Sequence, residues 1–190
     1  MLESELMSLA TGRTDNLFEQ DLRVHREVLL SQIKGKRLLV IGGAGSIGSA
    51  TVRELIRYEP KTLHVIDQNE NQLAELVRDL RSQGHDFRVE DFLALPIDFG
   101  SPIMHRLIQE RPPYDLIMNF AAIKHVRSEK NVLSILHMLK TNILKPARFL
   151  SWIIEKGENC RIFFVSIDKA ADPANLMGAS KRMKDVFRFC

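Results

Sequence analysis

The run Val40-Ile41-Gly42-Gly43-Ala44-Gly45-Ser46-Ile47-Gly48 constrains this chain more than any other stretch. An apolar segment, Arg37 to Ile41, runs into glycines at 42, 45 and 48, and a helical pattern follows them. Each glycine has a mechanical use at such a junction. One makes the tight turn, one lets backbone N–H groups approach a pyrophosphate, and one packs helix against strand. The helix N-terminus adds partial positive charge at the same point. A glycine triplet alone is a weak signal, and its bland alternative is a flexible turn. Here the surrounding order of strand, loop, helix and second strand favours a dinucleotide cradle. Gly42, Gly45, Ser46, Ile47 and Gly48 are its candidate phosphate-facing residues.

From Arg37 onward short apolar runs alternate with longer segments of helical period, the pattern of repeated βαβ units. The predicted strands are Arg37 to Ile41, Thr62 to Ile66, Leu93 to Ile97, Asp115 to Asn119 and Arg161 to Val165. Helical stretches are predicted at Ser49 to Tyr58, Asn71 to Gln83, Ile103 to Glu110, Val132 to Glu155 and Asn175 to Phe189, with a kink or break at Pro146. The expected fold class is therefore α/β, a Rossmann-type doubly wound parallel sheet. Ahead of it, Phe18, Leu22, His25, Leu29 and Ile33 recur at helical spacing until Gly35. This predicts one amphipathic helix, and a division into an N-terminal helical extension, 1–35, and a nucleotide-binding domain, 36–190.

Asp67 ends the second predicted strand, about twenty residues past the last glycine, where an acid accepts hydrogen bonds from the adenosine ribose hydroxyls. A carboxylate there repels a 2′-phosphate and favours NAD over NADP; the alternative is a plain helix cap. Asp98, at the end of the third strand, is a candidate for the adenine edge or a turn aspartate before Phe99-Gly100.

Composition narrows the partners. The charge of +3 is spread among acids, with no basic run suited to a nucleic-acid backbone. Cys160 and Cys190 have no disulfide or zinc spacing, and no HxH or HExxH pattern suggests a metal. No apolar stretch approaches the roughly 18 residues needed to span a bilayer, and Glu3 and Glu5 interrupt the N-terminus. A cytoplasmic protein is expected. His64, His105 and His137 sit on patterned segments and are expected to be structural or exposed.

Two further segments, Asn119-Phe120-Ala121-Ala122-Ile123-Lys124-His125-Val126 and Ser166-Ile167-Asp168-Lys169-Ala170-Ala171 leading to Asn175-Leu176-Met177-Gly178-Ala179-Ser180-Lys181-Arg182, carry more chemistry. With the glycine loop, they resemble the extended short-chain dehydrogenase/reductases. The particular likeness is to the CapD-like polysaccharide-biosynthesis group of UDP-N-acetylglucosamine 4,6-dehydratases. The resemblance implies that bound NAD(P)+ takes a hydride from C4 of the sugar, water leaves across C5 and C6, and the hydride returns to C6. Asp168 matches the acid toward the departing 6-hydroxyl, and Lys169 the base at C5. Lys181 matches the lysine holding the nicotinamide ribose, and Asn142 the helix asparagine beside the site. Ala121, Ala122 and Ser166 are expected to line the cofactor, and Lys124 and His125 to belong to the pocket.

Two positions depart from the family pattern. Met177 stands where most short-chain dehydrogenases have tyrosine, giving MxxxK, as in one branch of the dehydratases. Ile167 stands where the group usually has threonine. A thioether cannot take the C4 hydroxyl proton. The resemblance further implies a UDP-sugar substrate, a homo-oligomer paired through long helices, and a C-terminal substrate domain beyond Cys190. Two alternatives stand beside the dehydratase: a UDP-sugar 4-epimerase, which needs no acid and base at C5 and C6, and a non-catalytic nucleotide-binding or interaction module.

Overall fold

The computed structural model describes residues 9, 12, 18–82, 88–123, 131–157, 159–166, 170–173 and 175–186. Two short helices, α1 (Glu19–Val24) and α2 (Arg26–Ile33), lead into β1 (Arg37–Ile41) and α3 (Ser46–Ile56). There follow β2 (Thr62–Ile66), α4 (Glu70–Ser82), β3 (Asp91–Leu95), α5 (Pro102–Glu110) and β4 (Leu116–Asn119). Next come α6 (Val132–Leu139), a π-helical segment (Lys140–Leu144), α7 (Lys145–Glu155), β5 (Arg161–Phe164) and α8 (Leu176–Val186). The five strands form one parallel sheet in the order β3-β2-β1-β4-β5. This is the expected Rossmann order, and its chain reversal lies at the carboxyl ends of β1 and β4.

The period of two along a strand explains the layers. Leu38 and Val40 of β1 join Leu63 and Val65 of β2 on one face, against Val52 and Leu55 of α3 and Leu73, Leu76 and Leu80 of α4. Leu39, Ile41 and Ile66 point the other way, into a second core with Met104 and Ile108 of α5 and Phe149 and Ile153 of α7. Burying each such side chain is worth about 1.5–3 kcal/mol. Two-sided burial therefore accounts for the continuous apolar runs in β1 and β2.

Three differences from the sequence pattern bear on the fold. β3 lies at Asp91–Leu95 rather than Leu93 to Ile97. Pro96 has no N–H for the ladder and closes the strand, which starts earlier with Asp91 opposite Thr62. The N-terminal helix is two helices, because His25, at φ −95° and ψ 9°, leaves helical geometry. α1 buries no residue, whereas Ile33 of α2 is buried in the first core. Finally, α3 begins at Ser46, three residues before the predicted start, so the glycine loop feeds directly into it.

The helix predicted to kink at Pro146 instead widens ahead of it. Pro146 cannot donate to the carbonyl of Asn142, and the Lys145 N–H reaches back five residues to Lys140 O. No helix among the described residues is long and apolar enough to cross a membrane.

Candidate functional site

The glycine loop closes over the end of β1 with little room to spare. Gly42 has φ +74°, and a Cβ there would lie 2.6 Å from Ala121 N. Its N–H donates to Ile66 O at 2.7 Å, which fixes the loop against β2. At Gly48 a Cβ would lie 2.2 Å from Gly42 O, so the first turn of α3 rests on the loop itself. Gly45 differs from both. Its nearest neighbour would be Gly42 O at an ordinary 3.6 Å, so packing within the protein does not demand a glycine there. Gly45 is also the N-cap of α3, and it offers no side chain to cap the first N–H groups. Those donors face a cavity of about 540 Å³. An uncapped helix end facing a cavity is an anion-binding arrangement.

Gly42, Gly45, Ser46, Ile47, Gly48, Asp67, Ala121 and Ala122, all expected from the sequence, line this cavity. Asp67 Oδ2 accepts from Ala44 N at 3.0 Å and Oδ1 from Asn69 N at 2.9 Å. Each carboxylate oxygen has a further lone pair, so the bracing of the loop leaves acceptors for ribose hydroxyls. On the far wall, Asn119 Oδ1 accepts from Ala121 N at 2.9 Å and turns the chain after β4 across the cavity.

Other sequence candidates take different places. Asp98 does not line the cavity, although its neighbours Ile97 and Phe99 do. Its Oδ1 accepts from Gly100 N at 2.9 Å, the turn role, and its Oδ2 meets Lys145 Nζ at 2.8 Å. Burial opposes ionisation of Asp98, but the hydrogen bonds from Lys145 and Gly100 outweigh it and hold the carboxyl below the usual carboxylate range.

Asn142 stands behind the wall rather than in it. Its Oδ1 accepts from Ile123 N at 3.0 Å, and its Nδ2 donates to Ile123 O and to Ser180 Oγ, both at 3.1 Å. Ser180 in turn donates to Met177 O at 2.8 Å. Asn142 thereby ties the cavity wall to α8. On that helix Met177 and Lys181 are buried, at 1% and 0% exposure, and neither lines the cavity. Ser166, half-buried just past β5, does not line it either. Lys124, His125, Ile167, Asp168 and Lys169 lie outside the described residues.

Sequence reasoning missed His137 and Thr141, which stand one turn apart on the β4-side wall that Ala121 and Ala122 share, and also Gln68 and Gln72 beside Asp67. His137 is exposed, as expected, but lines the cavity as well. The four-residue spacing of His137 and Thr141 was the available signal. His105 stacks on Trp152 at 4.9 Å between centroids, and His64 is buried in β2 with Nδ1 2.6 Å from Tyr114 OH. No cluster of metal-ligating side chains occurs among the described residues.

The chain has relatives among known proteins. An uncharacterized membrane protein of Methanocaldococcus jannaschii is 33% identical over 153 residues, covering 80% of this chain and 42% of the relative. A UDP-N-acetylglucosamine 4,6-dehydratase (inverting) of Campylobacter jejuni is 28% identical over 153 residues, covering 80% and 42%. The chain thus spans less than half the length of these curated relatives. Among solved structures, a UDP-glucose-4-epimerase from Stenotrophomonas maltophila superposes with a TM-score of 0.64 at 23% identity, covering 80% of this chain and 47% of that one. That likeness confirms the fold. With a family model matching residues 38–189, four-fifths of the chain, the protein belongs to the polysaccharide biosynthesis protein family.

Proposed function

We propose that this chain is the NAD(P)-binding portion of a sugar-nucleotide 4,6-dehydratase acting on UDP-N-acetylglucosamine or a close analogue. The observation that carries the reading is the cavity at the carboxyl edge of β1 and β4, with the uncapped N-terminus of α3 on one side and Asp67 at one end. Gly45 fits a bound diphosphate particularly well, because a Cβ there would meet only Gly42 O, at 3.6 Å, so packing within the protein does not account for the glycine. The named activity of the Campylobacter jejuni relative supports the substrate class.

When bound, the nicotinamide supplies a hydride acceptor that later returns the hydride. The chain's own residues then divide the remaining work. The first N–H groups of α3 bind the diphosphate, and Asp67 accepts from the adenosine ribose while disfavouring a 2′-phosphate, so NAD is the preferred form. Asp168 protonates the departing 6-hydroxyl, and Lys169 takes the proton from C5. Lys181 holds the second ribose. Because Met177 cannot accept the proton of the C4 hydroxyl, Asp168 or water takes it. A cytoplasmic setting fits the cysteine usage. Exposed Val132, Leu133 and Leu136 on α6 suit pairing with a second copy.

The test has two arms. Titration calorimetry with NAD+, NADP+ and UDP-N-acetylglucosamine is expected to show binding of NAD+ first and NADP+ more weakly. The complete, NAD-loaded protein is expected to convert UDP-N-acetylglucosamine to a 4-keto-6-deoxy product and to lose that activity on Lys169→Ala. Formation of the 4-epimer instead would replace dehydratase by epimerase.

A second reading, a non-catalytic nucleotide-binding module, is favoured by one observation. Met177 is 1% exposed and does not line the cavity where a catalytic tyrosine would be needed. Nucleotide binding without any turnover by the complete protein would select it.

A further inference from the structure

The β4-side wall of the cavity carries two polar groups that the glycine loop and the proposed chemistry leave unexplained. Thr141, on the π-helical segment, is 6% exposed and lines the cavity, and its Oγ1 has no hydrogen-bond partner among the described residues. A buried hydroxyl without a partner is costly, so a ligand group in the cavity is the natural one. His137 lines the same cavity one turn earlier, with its ring exposed. It is the only lining residue among those described that can carry a positive charge. Asp67 is the only acid among the described lining residues, and it lies at the end of β2. Lys145 is committed to Asp98 at 2.8 Å and does not line the cavity.

Sheet order converts these placements into a direction. β2 flanks β1 on one side and β4 on the other. A ligand with its ribose on Asp67 and its diphosphate on the loop above β1 must continue toward β4. There the wall is made of Phe120, Ala121, Ala122 and Ile123, with His137 and Thr141 as its only polar side chains among the described residues.

We infer that His137, assisted by Thr141, binds the distal half of the dinucleotide, donating to the phosphate remote from adenosine or to the ribose attached to it. This rests on the nucleotide reading above and adds a residue that distinguishes a full dinucleotide from a mononucleotide. The imidazole N–H and the threonine hydroxyl are the donors, and the two sit on one helical face to serve one ligand segment.

The experiment is titration calorimetry of the 190-residue chain with NAD+, ADP-ribose and AMP. His137→Ala is expected to weaken NAD+ and ADP-ribose about tenfold and to leave AMP unchanged. His137→Gln, which keeps an N–H donor, is expected to retain most of the affinity. Thr141→Val is expected to repeat the alanine pattern. Because the His137 ring is exposed, its replacement is benign to folding, and an unchanged melting temperature checks this. If the wild type binds NAD+ and His137→Ala binds it equally well, the inference falls and the nucleotide reading stands. An equal loss for AMP also overturns it, since the effect then reaches the adenosine end. A wild type that binds none of the three overturns the nucleotide reading and the inference with it.

Discussion

At Gly45 and Gly48 the same residue type answers to two different demands, and substitution separates them. Gly48→Ala places a methyl group 2.2 Å from Gly42 O and 2.8 Å from Gly43 Cα, both backbone atoms that cannot rotate away. A loss of about 1–3 kcal/mol in stability is expected, read from the urea midpoint. Gly45→Ala meets nothing closer than 3.6 Å, so the midpoint is expected to hold while NAD+ affinity falls about tenfold. Asp67→Asn removes the negative charge but keeps an acceptor for Ala44 N. The proposed preference for NAD+ over NADP+ is expected to narrow about tenfold, measured as the ratio of the two dissociation constants. These residues were legible because glycine spacing and a strand-end acid are local signals. Asp98 was legible only as a choice of two roles, since its partner Lys145 comes 47 positions later and no pattern joins them.

The π-helical segment shows what an element can hide from its own sequence. A strict 3.6-residue period assigns faces correctly only while hydrogen bonds run four residues back, and here one runs five, from Lys145 to Lys140. The expected site asparagine, Asn142, consequently braces the cavity from behind, while Thr141 lines it. Asn142→Ala would remove three hydrogen bonds and leave the Ile123 N–H without its partner. A cost of about 2–4 kcal/mol is expected, against about 1 kcal/mol for Ser180→Ala, both by urea denaturation. Equal costs would show that Ser180, rather than the Ile123 backbone, is the more important end of the clamp. β1 and β2 were legible from end to end because both faces are buried. β3 was displaced because an edge strand is weakly patterned and Pro96, with no N–H for the ladder, ends it early.

For the molecule as a whole, His64 sets a pH dependence. Its side chain is fully buried, and burial holds the imidazole below its ordinary range despite the nearby Asp91. The unfolded chain takes up a proton near pH 6.5 that the folded chain refuses, so stability is complete above that value and falls as pH drops through it. His64→Leu is expected to flatten the slope of unfolding free energy between about pH 5 and pH 7. Asp98 adds a second loss at lower pH, because its depressed carboxyl must be protonated there.

The central strand also imposes an order in time. β1 meets β2 only 25 residues along the chain, but its other neighbour, β4, stands 78 residues away. Closing the larger loop costs more entropy and yields its contacts later, so the β1-β2-β3 half is expected to gain hydrogen-exchange protection before β4 docks. At that stage the glycine loop would be one-sided, since Gly42 would have Ile66 behind it and not yet Ala121 in front. Under the proposed function, nucleotide capture would mark the moment the two halves of the sheet meet, and a ligand added during refolding would report the last closure rather than the first.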